Sequence, residues 1–201
     1  MFEVFNLIAP MVAIIIAFDI FEFTKALAST LMGDTTPREK GQLALNPLKH
    51  FEPIGFLLMY FYGIGWGQPV ETSYKSKRNG TLVTYLSPVI VSILLAFGLL
   101  NLSDYPEVLL GDSYFGVFLS MFLVYLGRYF VILAVINLIP VHPFCGSKLI
   151  RCFLNPNAQV KYSQSEKMLQ MIFIFLLLFG VISPVVGYAS NWVVDILTLG
   201  N

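Results

Sequence analysis

The chain has 201 residues, 57% of them hydrophobic and 12% charged, with a formal net charge of zero and a mean hydropathy of +0.76. Soluble domains carry about 25% charged residues, so this composition excludes an ordinary soluble protein and points to a bilayer. The zero net charge averages two unlike faces and says nothing about partners; no nucleic-acid partner is expected, because membrane orientation accounts for the basic segments.

In chain order, four apolar runs are long enough to span: 4–32, 83–103, 114–140 and 168–190. A spanning helix needs about 20 residues and must satisfy its backbone hydrogen bonds internally. The first run lacks a basic leader and a small-residue cleavage site and is too long for a signal peptide, so it is expected to remain as a helix. A fifth apolar stretch, 54–67, is short and broken by Pro53, Gly55, Gly63, Gly65, Gly67 and Pro69. It reads as a re-entrant segment. The expected fold is therefore all-α, with about four transmembrane helices and one re-entrant segment in a single membrane-embedded domain over 1–201.

Lys and Arg accumulate on the cytoplasmic side of membrane proteins. Arg38, Lys40, Lys49, Lys75, Lys77, Arg78, Lys148, Arg151, Lys161 and Lys167 fall in three segments that must share a side. The 104–112 loop opposite them carries Asp104, Glu107 and Asp112 and no base. The expectation is a multi-pass protein of the cell (cytoplasmic) membrane with its basic loops in the cytoplasm. There a disulfide between Cys145 and Cys152 is not expected, and both read as small apolar residues.

The chemistry-bearing segments are Phe21-Glu22-Phe23-Thr24-Lys25 on the first span and Asn137-Leu138-Ile139-Pro140 through Cys145-Gly146 at the end of the third. Both spans run in the same direction, so the two segments reach one depth. Between them lie Gly33-Asp34, Asn46-Pro47-Leu48-Lys49-His50, Pro53-Ile54-Gly55, Gly65-Trp66-Gly67, Pro69-Val70 and Arg78-Asn79-Gly80-Thr81-Leu82. In this order, over roughly residues 15–167, the segments resemble the site-2 protease family of intramembrane zinc metalloproteases.

That resemblance implies a helix bearing His-Glu-x-x-His, two imidazoles one turn apart beside a glutamate base, and a later aspartate completing the zinc site. Here Phe21 and Lys25 stand at the histidine positions and Cys145 at the aspartate position. Glu22 alone remains, a vestigial base. Val91 replaces an asparagine expected to hold substrate, in a groove to which Asn137, Pro140 and Gly146 would contribute. Zinc is the family's cofactor, but with these ligands replaced no cofactor is expected; Cys145, His142 and Glu22 are the residues left that could ligate a metal.

Charge inside a bilayer is costly unless paired. Asp19, Glu22, Lys25 and Arg128 sum to zero, and counting from span ends at 32 and 140 puts Asp19 and Arg128 at similar depth. They suggest a network, Glu22 with Lys25 and Asp19 with Arg128, filling the place of the metal. Alternatively Lys25 snorkels toward the headgroups. His50 reads as a packing or hydrogen-bonding residue and His142 as a loop histidine.

The favoured functional expectation is a catalytically inactive site-2 protease-like membrane protein, a pseudoprotease. Its partners would be the lipid bilayer and a transmembrane helix of a substrate-like or regulatory protein, or a partner protease. Two other readings are an active intramembrane zinc metallopeptidase with non-standard ligands and a transporter or channel subunit with Asp19 and Arg128 on its pathway.

Overall fold

The computed structural model describes residues 2–73, 78–110 and 113–198; Lys75, Lys77 and Asp112 of the charge pattern lie outside them. Among the described residues there are ten helices and no strand. The first four are α1 (Phe2–Leu31), α2 (Thr36–Glu39), α3 (Pro47–His50) and α4 (Pro53–Tyr62). They are followed by α5 (Arg78–Leu102), α6 (Tyr105–Leu110), α7 (Tyr114–Ile136), α8 (Cys145–Arg151), α9 (Pro156–Leu178) and α10 (Ile182–Leu197).

Three helices, α1, α5 and α7, are long and apolar enough to cross a membrane, and a bent pair, α9 with α10, makes a fourth candidate. The protein is an all-α integral membrane protein. The three straight spans pack on one another. Phe18 and Phe21 of α1, Val89 and Ala96 of α5, and Phe130, Val131 and Ala134 of α7 form their shared core. Cα–Cβ bonds repeating every three to four residues put such positions on one helix face.

Four helices begin where the sequence places a capping side chain. Asn46 Oδ1 accepts from Leu48 N at 3.1 Å, Ser113 Oγ from Gly116 N at 3.1 Å and Asn155 Oδ1 from Ala158 N at 2.8 Å. Glu52 caps α4 by accepting from Gly55 N. Pro47, Pro53 and Pro156 follow three of these caps at the first helical position, where a missing N–H costs nothing.

Three expected spans have different limits: the second begins at Arg78 rather than 83. The third ends at Ile136 rather than 140, because residues 137–144 turn back to start α8. The fourth is not one rod over 168–190: α9 stops at Leu178 and α10 leaves at 83°. Gly180 adopts φ +71°, with its N–H on Leu177 O at 2.9 Å and the Val181 N–H on Leu176 O at 2.9 Å. This is the helix stop that a left-handed glycine permits, and Pro184, in the first turn of α10, and Gly187 follow it within the same apolar run.

The fifth apolar stretch does turn back on itself. With 10 residues, α4 is too short to cross. Gly63 at φ +69° ends it, and the chain returns without helix or strand until Gln68 N donates to His50 O at 2.7 Å. Entry and exit are therefore adjacent. The return is possible because Gly65 lies against the Gly55 carbonyl and the Met59 backbone, where an added Cβ would overlap both. Gly65→Ala should accordingly cost about 1–3 kcal/mol through overpacking, measured as a lower unfolding midpoint in detergent.

Candidate functional site

One face of α1 carries a polar stripe at Asp19, Glu22, Lys25 and Ser29, every third or fourth residue and all buried. Residues 67–73, in neither helix nor strand, run beside it, and Val70 supplies it a backbone donor. Glu22, 4% exposed, accepts Lys25 Nζ on both carboxylate oxygens at 2.7 and 2.8 Å, and accepts Val70 N at 3.0 Å. Lys25, 2% exposed, places the same ammonium 5.2 Å from the centre of the Phe21 ring. A desolvated cation over an aromatic face is favourable.

The buried Cys145, first residue of α8, faces that ammonium across the bundle. Its position is set by Asn137, whose Oδ1 accepts from Cys145 N at 3.2 Å and whose Nδ2 donates to Leu133 O at 3.0 Å. The Asn137 carbonyl also accepts Gly146 N at 2.7 Å. At Gly146 a side chain would run into the carbonyls of Leu138 and Ile139. Asn137 and Gly146 thus hold the turn that delivers Cys145.

Tyr85 of α5 completes the cluster, and sequence reading missed it. It lies within electrostatic reach of Lys25, Glu22 and Cys145, and its hydroxyl shares a 2.8 Å hydrogen bond with Thr72. A tyrosine in an apolar span carries no positional signal; only the packing of α5 against α1 assigns it. Phe21, Glu22, Cys145 and Tyr85 therefore lie around the Lys25 ammonium.

Other candidates lie elsewhere. Val91 is half-buried on α5, six residues beyond Tyr85, or about 9 Å along the helix. Pro140 is exposed and its carbonyl accepts the Tyr162 hydroxyl at 2.6 Å. His142 Nδ1 is 3.7 Å from Glu166 Oε1, and its burial holds the imidazole below its ordinary pKa. Among the described residues, no group of three or more His, Cys, Asp or Glu side chains is placed to share a metal ion.

The expected Asp19–Arg128 contact is absent. Asp19 instead faces His50, with Oδ1 3.9 Å from Nε2, which also contacts Ala44 O at 3.2 Å. Arg128 is exposed and lines a separate hollow with Ser103, Asp104 and Ser120. The reason is angular: Leu126, Gly127, Phe130 and Val131 form the buried face of α7, and Arg128 falls outside it. Matching depth did not imply matching direction.

Asp34 anchors the far end of segment 67–73. Its carboxylate accepts Ser29 Oγ at 2.9 Å, Thr36 N at 3.0 Å and Ser73 N at 2.6 Å. Burial pushes its pKa up, but the hydrogen bonds from Thr36, Ser73 and Ser29 outweigh burial and hold it below the ordinary carboxylate value.

The class defined by fold and site is a multi-pass helical membrane protein with a buried carboxylate and ammonium pair where α1, α5 and α8 meet. Compared with known proteins, the chain is 29% identical over 192 residues to the Bacillus subtilis (strain 168) protein named "Putative zinc metalloprotease YwhC". The match spans 88% of this chain and 81% of that protein. No family model and no solved structure matches the chain. It is thus similar, over most of its length, to a protein named for zinc metalloprotease activity.

Two outcomes follow from the site. Lys25→Met should cost about 3–5 kcal/mol by leaving the Glu22 carboxylate buried without its cation, and Glu22→Gln added to it should restore much of that loss; unfolding of the three variants in detergent measures the cycle. Because the Asp34 pKa is lowered on folding, its contribution is fully present above about pH 3.9 and is lost as pH falls through the folded-state value. Asp34→Asn should therefore flatten the acid limb of the stability profile.

Proposed function

We propose that this protein is a divergent member of the site-2 protease family that does not cleave, a pseudoprotease that binds a transmembrane helix of a substrate-like or regulatory protein, or a partner protease. The observation that carries the reading is the Lys25 ammonium seated on both oxygens of Glu22. A glutamate that serves as general base must be free to take a proton from water. This one is engaged by a fixed cation and by the Val70 amide.

The residues do not fit a zinc ion. Zinc takes nitrogen, sulfur or oxygen donors in a tetrahedral set. Phe21 offers none, Lys25 brings a positive charge, and Glu22 has both oxygens in use. The Cys145 thiol is a single soft donor facing that cation. Similarity to the zinc-metalloprotease-named relative supports the scaffold, and the donor chemistry supports loss of its reaction.

Metal analysis of the purified protein tests this. The natural chain should carry no stoichiometric zinc and leave a reconstituted transmembrane peptide uncut. The triple variant Phe21→His, Lys25→His, Cys145→Asp should gain about one zinc per chain if the scaffold is retained. Stoichiometric zinc in the natural chain, lost in Cys145→Ala, would overturn the proposal.

A further inference from the structure

A cavity of about 420 Å³ opens beside the buried site, where the end of α1, the start of α5 and helix α8 converge. Arg78, Lys148 and Arg151 line it, together with Ser29, Thr84 and Gln159. Among the described residues no carboxylate lines it, and the nearby Asp34 carboxylate is engaged by Ser29 Oγ and Ser73 N of its wall. We propose that this cavity binds a phosphate group, supplied by the headgroup of an anionic phospholipid.

The charge balance comes first. Among the described residues, neither Arg78 nor Lys148 has a carboxylate within ion-pair distance, and Arg151 has one, with Nη2 2.6 Å from Glu166 Oε2. The Arg151 Nε–H is buried with no hydrogen-bond partner. Glu166 Oε1, on the same ion pair, is likewise buried without a hydrogen-bond partner, so the unopposed cations of the cavity are Arg78 and Lys148. Burial, and then the neighbouring Arg151, lower the Lys148 pKa, against the opposite pull of Glu166. The first-turn amides of α5, which begins at Arg78, add a partial positive charge.

Depth favours a lipid as the source. Ser29 is two residues from the end of α1, and Arg78 is the first residue of α5, so the cavity lies where spans meet headgroups. Its lip is amphipathic: the Arg78 guanidinium sits 5.0 Å from the centre of the exposed Phe153 ring, setting an apolar surface for acyl chains beside the cation. Basic pockets between spans are suited to anionic headgroups.

This inference is independent of the Glu22–Lys25 reading, since no residue it tests belongs to that pair. The test is lipid titration of the detergent-purified chain, monitored by unfolding midpoint and by native mass spectrometry. Phosphatidylglycerol should stabilise the protein and stay bound where phosphatidylcholine does not. Lys148→Gln and Arg78→Gln should each weaken phosphatidylglycerol binding about fivefold while unfolding normally in phosphatidylcholine. Lys167→Gln removes an exposed cation outside the cavity and should leave binding unchanged. Equal weakening by Lys167→Gln would reduce the effect to general surface attraction and overturn the proposal. Stabilisation by millimolar inorganic phosphate equal to that by phosphatidylglycerol would overturn the lipid assignment.

Discussion

The interaction on which the rest of the structure depends is the buried contact of the Glu22 carboxylate with the Lys25 ammonium and the Val70 amide. Either charge alone in the middle of an apolar bundle would be expensive. Together they cancel, and the two carboxylate oxygens are satisfied by three donors. The Val70 bond does more than complete the count: it ties α1 to a segment 48 residues away along the chain. Hydrogen bonding and burial therefore act on the same atoms.

From that contact the neighbouring layer is determined by backbone polarity. Residues 64–73 form no helix or strand, and such backbone inside a membrane protein must find partners from other elements. They find them in order: Gln68 on His50, Val70 on Glu22, Glu71 on Gln42 and Ser73 on Asp34. The Lys40 and Glu71 side chains close the outer edge. The polar stripe of α1 is thus the docking rail for a loop that could not otherwise be buried.

The span ends also concentrate positive charge. Arg78, Lys148 and Arg151 come from segments remote in sequence yet border one cavity, with one carboxylate, Glu166, paired among them. A bundle in which α1 and α7 run one way and α5 the other brings the termini of three spans together. The arrangement leaves a polar opening beside the buried pair, bordered by Arg78, Lys148 and Arg151.

Composition and apolar run length by themselves determined the membrane class and the three straight spans, because burying some twenty backbone groups in hydrocarbon leaves only a helix. The same logic, with Pro53 and the glycines from 55 to 67, made the return of the fifth stretch legible. The pairing of Glu22 with Lys25 was legible too, since residues three apart share a helix face. Tertiary structure decided the rest. Gly180 breaks the fourth apolar run through a local φ that hydropathy does not register. Arg128 points away from Asp19, Tyr85 joins the site, and His50 takes the place beside Asp19. These depend on helix rotation and on which faces meet, and a depth count along one chain carries no information about angle.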